Sequence, residues 1–350
     1  MTAHPIRRRN SFGAQRPRWF RPPDEWGGRS AMTRLFIVAV LSATCAACAP
    51  ALTDLKPSLS ATDSGTIWFA TPGSLLLAPD GPRLIAGDPV VLSAELTLPS
   101  GAGPWPAVVL AHGCSGIVNT EKSWAQVLHS WGYATLMLDS FRARGLTEVC
   151  TNPRALIATQ RVPDAYGALR ILATHPRIDR RRIGLMGFSH GGILTTIAST
   201  EWARDTYAVP DQPTFRAFFA FYPSCDAAYP ERERITAPLR IHSGELDDWT
   251  PAAPCEALVE LLRRSGQDAA ITVYPGAHHS FDNVGLPFQY LPDVDNGAGC
   301  ALTVASVLGP APPTSDVARC LRKGATVAWS PGAEAQARRN LLSQLTELLK

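Results

Sequence analysis

The residue types that could carry chemistry cluster first at Gly187-Phe188-Ser189-His190-Gly191, which follows the apolar run Ile183-Gly184-Leu185-Met186. An aliphatic, β-branched run predicts a buried strand, and Ile193-Leu194-Thr195-Thr196-Ile197-Ala198 after it predicts the start of a helix. A strand that turns sharply into a helix around Gly-x-Ser-x-Gly raises the serine hydroxyl at the end of a sheet, where it can act as a nucleophile. Side chains in place of Gly187 or Gly191 would collide with the backbone of the adjoining strand and helix.

A serine hydroxyl is a weak nucleophile at neutral pH and needs a histidine base held by a carboxylate. Candidates follow in the order acid, then histidine. Leu239-Arg240-Ile241-His242-Ser243 predicts a strand entering Gly244-Glu245-Leu246-Asp247-Asp248, and Ala270-Ile271-Thr272-Val273-Tyr274 predicts one entering Pro275-Gly276-Ala277-His278-His279-Ser280-Phe281. Neighbouring loop residues point different ways, so one of Asp247 and Asp248, and one of His278 and His279, can serve. The remaining pair has ordinary uses, Asp248 as a cap for a helix near Pro251 and His278 as a solvated loop residue. Residues 106–111 predict a central strand running into His112-Gly113-Cys114-Ser115-Gly116, the loop that supplies an oxyanion-binding N–H. The donors expected are the backbone N–H groups of Cys114 and His190, with the His190 imidazole as a wall of the pocket. Cys114 lacks an elbow around it and is not read as the nucleophile. The aspartate and histidine pairs lack a metal-ligand spacing such as His-Glu-x-x-His, so neither a metal nor a cofactor is expected.

Taken together, His112-Gly113-Cys114-Ser115-Gly116, Gly187-Phe188-Ser189-His190-Gly191, Gly244-Glu245-Leu246-Asp247 with Pro251, and His279-Ser280-Phe281 resemble the dienelactone hydrolase family of α/β-hydrolases, from about Pro89 to Leu286. The resemblance selects Asp247 through the family's Gly-x-x-Asp-x-x-x-Pro pattern and His279 through its His-Gly/Ser-Phe pattern. Asp139-Ser140-Phe141 with Arg144-Gly145 is similar to a segment of exported members. The chain departs from enzymes that open dienelactones in having Ser189 where they have cysteine, and Gly113 where they have a glutamate near the oxyanion loop. The resemblance therefore implies a hydrolase of carboxylic esters or lactones with a Ser189–His279–Asp247 triad, and not a dienelactone as its substrate. Arg142 and Arg144, after a strand end, could bind a substrate carboxylate, although arginines there also occur simply as surface residues.

These groups need a sheet to position them. Thr66-Ile67-Trp68-Phe69-Ala70 and Val90-Val91-Leu92-Ser93-Ala94-Glu95-Leu96 predict antiparallel edge strands, and residues 133–138 and 214–221 predict further strands. Helices are expected over 121–131, 162–175, 254–264 and 334–350. Strands alternating with helices predict a mostly parallel central sheet with helices on both faces, an α/β-hydrolase fold over 65–350. Within it, a Gly- and Pro-rich segment at about 282–331 predicts irregular structure beside the mouth of the site.

The chain has 350 residues, 45% hydrophobic, enough for one large α/β domain, and a net charge of +3. Its arginine cluster lies before residue 22, and without an aromatic-interleaved basic groove nucleic-acid binding is not expected. Leu35-Phe36-Ile37-Val38-Ala39-Val40-Leu41 suits the h-region of a signal peptide within 1–49, and Met32-Thr33-Arg34 makes Met32 a candidate translation start. Lipidation of Cys48 would attach the chain to a membrane, although Cys45 is not the usual aliphatic residue of a lipobox. A tether is expected over 50–64. Eight cysteines less Cys45 and Cys48 leave an even set, and in an exported chain this predicts disulfides between sequence neighbours: Cys114–Cys150, Cys225–Cys255 and Cys300–Cys320. The activity expected is a periplasmic serine hydrolase with an acyl-enzyme on Ser189. The rival readings are a ligand-binding protein on an inactive scaffold, which the filled triad positions oppose, and a small peptidase. The chain has no room for the propeller that such peptidases commonly carry.

Overall fold

A computed structural model of the chain describes residues 55–77, 84–300 and 319–350. The signal-peptide reading, the candidate start at Met32, Cys48 and residues 50–54 of the expected tether lie outside them. Twelve strands are present: β1 (Gly65–Thr71), β2 (Leu75–Leu77), β3 (Leu84–Ala86), β4 (Val90–Thr97), β5 (Trp105–Ala111), β6 (Ala134–Asp139), β7 (Ile178–Phe188), β8 (Ala217–Phe221), β9 (Leu239–Gly244), β10 (Ala269–Tyr274), β11 (Gln289–Asn296) and β12 (Arg322–Val327). The helices are α1 (Asn119–Ser130), α2 (Val162–Leu172), α3 (His190–Ala198), α4 (Glu201–Tyr207), α5 (Ala252–Arg264) and α6 (Pro331–Leu349).

Eight strands form one sheet in the order β1-β4-β6-β5-β7-β8-β9-β10. The pairs β1/β4 and β4/β6 are antiparallel, and the rest of the sheet is parallel. Successive strand residues face opposite sides. Val109, Leu185, Phe218 and Ile241 therefore pack with α2, α3 and α5, while Val108, Leu110, Met186 and Phe219 pack with α1 and α6. The carboxyl ends of β5, β7, β9 and β10 lie along one edge, which is where an α/β sheet collects ligands and reactive groups. Among the described residues no helix is long and apolar enough to cross a membrane.

Two regions differ from expectation. Residues 55–64 are docked on the domain: Lys56 N–H donates to the Trp68 carbonyl at 2.8 Å, Lys56 and Asp63 pair at 3.2 Å, and Leu59 is buried in the core. The segment expected to be irregular contains an antiparallel pair, β11 with β12. Pro292 and Gly324 disguise these strands, and Gly324 sits at φ 96°, a conformation that favours glycine.

Candidate active site

Strand β7 ends at Phe188 and α3 begins at His190, leaving Ser189 alone in the turn at φ 50° and ψ −113°. Its N–H donates to the Phe221 carbonyl of the adjacent strand at 2.9 Å. A Cβ on Gly187 would lie 2.0 Å from the Gly191 carbonyl oxygen, and one on Gly191 would lie 2.1 Å from that of Ala111. Backbone meets backbone on both sides of the serine, so only glycine fits.

The loops after β9 and β10 bring one member of each adjacent pair to this turn. His279 Nε2 lies 2.9 Å from Ser189 Oγ, and its Nδ1 lies 2.8 Å from Asp247 Oδ2. Both Asp247 and His279 are buried. The other Asp247 oxygen accepts the N–H groups of Trp249 at 3.0 Å and Thr250 at 2.8 Å. Thr250 Oγ1 is 3.0 Å from Asp247 Oδ2, His279 Nδ1 and the Tyr222 carbonyl oxygen; its hydroxyl can donate to either oxygen and can accept from a protonated Nδ1. Rings of Trp249 and Tyr222 enclose the imidazole, with centroids at 4.9 and 4.6 Å. Asp248 instead accepts the N–H and the hydroxyl of Thr326 on β12, both at 2.8 Å. His278 turns to the Leu246 carbonyl at 3.1 Å and to the Phe288 ring.

Across the turn, the loop after β5 carries Cys114 on the wall of a cavity of about 300 Å³ that also holds Ser189 and His279. A disulfide joins Cys114 to Cys150, and Val149 N–H donates to the Cys114 carbonyl at 2.8 Å. Disulfides also join Cys225 to Cys255 and Cys300 to Cys320. The carboxylate of Glu121, in the first turn of α1, accepts Gly113 N–H at 3.2 Å and Val118 N–H at 2.9 Å. Burial raises its pKa. The rest of the wall includes Leu286, Gln289, Leu291 and Val327, so the segment after residue 282 does stand at this cavity.

Two side chains are placed otherwise than expected. The His190 imidazole does not line the cavity; it is buried under the turn, where Nδ1 accepts from Arg161 Nη1 at 2.8 Å. Burial first, then the neighbouring Arg161 charge, holds its pKa well below the usual histidine range, so the ring is neutral. Arg144 is bound to buried Asp164 by two bonds of 2.8 and 2.9 Å, because a buried carboxylate needs a cation. Arg142 is exposed, and neither arginine lines the cavity.

Four contributors escaped the sequence reading. Arg161 is fully buried and its Nη1 reaches both the His112 carbonyl, at 3.0 Å, and His190. Glu121 and Thr250 left faint traces, as a residue at the third position of a helix and as a threonine three after an aspartate. Asp282 accepts Trp124 Nε1–H at 2.7 Å and the Tyr222 hydroxyl at 2.8 Å, and burial pushes its pKa up to about 6. A hydroxyl, an imidazole and a carboxylate in series can perform acyl transfer.

Comparison with known proteins gives the family and the fold. The model of the dienelactone hydrolase family matches residues 92–298. A Methylorubrum extorquens protein provisionally named carboxymethylenebutenolidase is 25% identical over 228 residues, 59% of this chain and 75% of its own. A Bradyrhizobium protein named as a probable 2-oxo-3-(5-oxofuran-2-ylidene)propanoate lactonase is 23% identical over 198 residues, 54% of this chain and 78% of its own. Among solved structures, a protein of Klebsiella pneumoniae, provisionally named a dienelactone hydrolase, superposes with a TM-score of 0.52 at 15% identity. That superposition covers 80% of this chain and 99% of the other, and the likeness is one of fold.

Proposed function

The chain belongs to the dienelactone hydrolase family, and on that footing we propose that it hydrolyses carboxylic esters or lactones through an acyl-enzyme on Ser189. The observation that carries the reading is the series Ser189 Oγ, His279, Asp247, with contacts of 2.9 and 2.8 Å, opening on one cavity. Ser189 Oγ attacks the carbonyl carbon while His279 Nε2 takes its proton. Asp247 holds the proton on Nδ1 and stabilises the imidazolium. The N–H groups of Cys114 and His190 receive the oxyanion, a role in which a single donor is typically worth about 3 kcal/mol of barrier. The imidazolium then protonates the leaving alcohol, and His279 activates the water that releases the acid.

The test is a fluorophosphonate probe together with 4-nitrophenyl acetate turnover, applied to the protein and to Ser189→Ala and His279→Ala. Labelling and turnover lost in both variants are expected. Activity that survives Ser189→Ala would overturn the mechanism. The proposal includes export to the periplasm, supported by three disulfides, which belong to an oxidising compartment, and by the apolar run at 35–41. Six titratable thiols in denatured, unreduced mature protein would contradict it.

A further inference from the structure

The charge of the cavity bears on what it can admit. Its lining includes Glu121, whose buried carboxylate accepts the Gly113 and Val118 N–H groups, and among the described residues lining it there is no lysine or arginine. Three cations of the surrounding fold are held elsewhere, and exposed Arg142 does not line the cavity. Arg144 is bound to Asp164, Arg161 lies buried beneath His190, and Lys323 on β12 is paired with Asp295 at 2.7 Å. A second carboxyl, Asp282, stands behind Tyr222. The wall has an apolar side of Phe188, Trp249, Leu286, Leu291 and Val327, and beside Ser189 and His279 it has uncharged polar groups such as Thr120, Asn283 and Gln289.

We infer that this site takes neutral esters or lactones with an apolar acyl portion, and that Glu121 makes it reject substrates carrying a carboxylate close to the reacting carbonyl. The inference rests on the hydrolase reading above. A carboxylate entering the cavity loses its hydration and meets no cation to replace it. In the same space the Glu121 charge repels it, more strongly than in water because the walls are apolar. The oxyanion N–H groups do not relieve this, because the carbonyl oxygen occupies them.

The experiment compares 4-nitrophenyl hemisuccinate with its methyl ester, which has the same chain and leaving group but no charge. The kcat/KM of the hemisuccinate is expected to be about 100-fold lower. In Glu121→Gln that ratio should narrow by about tenfold. Using a ratio cancels whatever the variant does to the loop that Glu121 supports. If the variant does not fold, the wild-type ratio and the ability of each ester to protect against fluorophosphonate labelling carry the test. Equal turnover of the two esters, or preference for the hemisuccinate, would overturn the inference and leave the hydrolase reading standing. An unchanged ratio in Glu121→Gln would overturn the role of Glu121. No turnover and no labelling would overturn the hydrolase reading, and this inference with it.

Discussion

The two arms that meet at Ser189 are built on different terms. On the His279 side, the groups proposed to do the chemistry also hold one another. Asp247, Thr250 and His279 are linked by contacts of 2.8 to 3.0 Å, and the Asp247 carboxylate is fixed by N–H groups of its own loop. On the opposite side the proposed reagents are backbone N–H groups, and residues distant in sequence hold them. Arg161 reaches across 49 positions to His112 and 29 to His190, and the Cys114–Cys150 bridge spans 36. A side-chain reagent is positioned by its own bonds, whereas a backbone donor is only as well placed as the loop that carries it. In the first arm chemistry and positioning reside in the same residues, and in the second they can be changed separately.

The largest effect should come from the first arm. Asp247→Asn keeps an acceptor for the Trp249 and Thr250 N–H groups but favours the wrong His279 tautomer. We expect kcat to fall by about 10⁴-fold. Steady-state kinetics alongside a thermal melt would show chemistry lost with the fold kept. A loss below about tenfold would contradict the orienting role of Asp247.

Arg161→Met probes the other arm. The guanidinium lies 5.1 Å from the Phe141 ring centroid, and Nε and Nη2 have no hydrogen-bond partner among the described residues. Burial lowers its pKa to about 10, which signals how poorly the charge is solvated. Replacing it should lower kcat by about 100-fold, because both donor loops lose their shared anchor. Stability should stay within about 1 kcal/mol, since lost bonds and relieved desolvation offset. Affinity for a boronic acid transition-state analogue should fall in parallel with kcat. A fall in stability with that affinity unchanged would make Arg161 merely structural. Cys114→Ser with Cys150→Ser should cost less in rate, about tenfold, together with a lower melting temperature. Full activity in the double variant would show that the loop needs no covalent support.

The same contrast explains what could be read without coordinates. Gly187 and Gly191 were legible because their reason is steric and local, and Ser189 follows from them. Spacing alone did not divide Asp247 from Asp248 or His278 from His279. Alternate residues differ in direction, but nothing local says which direction faces β7. The parallel strands were visible as aliphatic runs, whereas β11 and β12 were hidden by Pro292, Gly324 and, in β11, the near absence of buried positions. Arg144 read as a ligand for an anion, and that anion proved to be Asp164, 20 positions away. The supports of the proposed oxyanion loops, Glu121 and Arg161, belong to no motif, since what they bind is backbone or a remote ring.

The smallest effect on rate, and the most informative on stability, is expected at Asp282. Its carboxyl is buried against Trp124 and Tyr222, with Glu121 and His279 as the nearest charged or titratable influences, and its pKa is pushed up to about 6. A carboxyl with a folded pKa above its unfolded value binds more protons in the native state, so its contribution to stability is greatest below about pH 4. It then declines as pH rises toward 6, by roughly 3 kcal/mol in all. Asparagine should remove that decline. Its carbonyl can accept from Trp124 Nε1–H while its amide donates to Tyr222, whose hydroxyl can accept as readily as donate. Asp282→Asn is thus expected to match the native protein near pH 4 and to melt higher above pH 6. Its kcat should change by less than about threefold, because Tyr222 still backs His279. Parallel melting curves from pH 4 to 7.5 would show that Asp282 does not titrate in this range. A large loss of kcat would move it, through Tyr222, from the scaffold of the first arm into its chemistry.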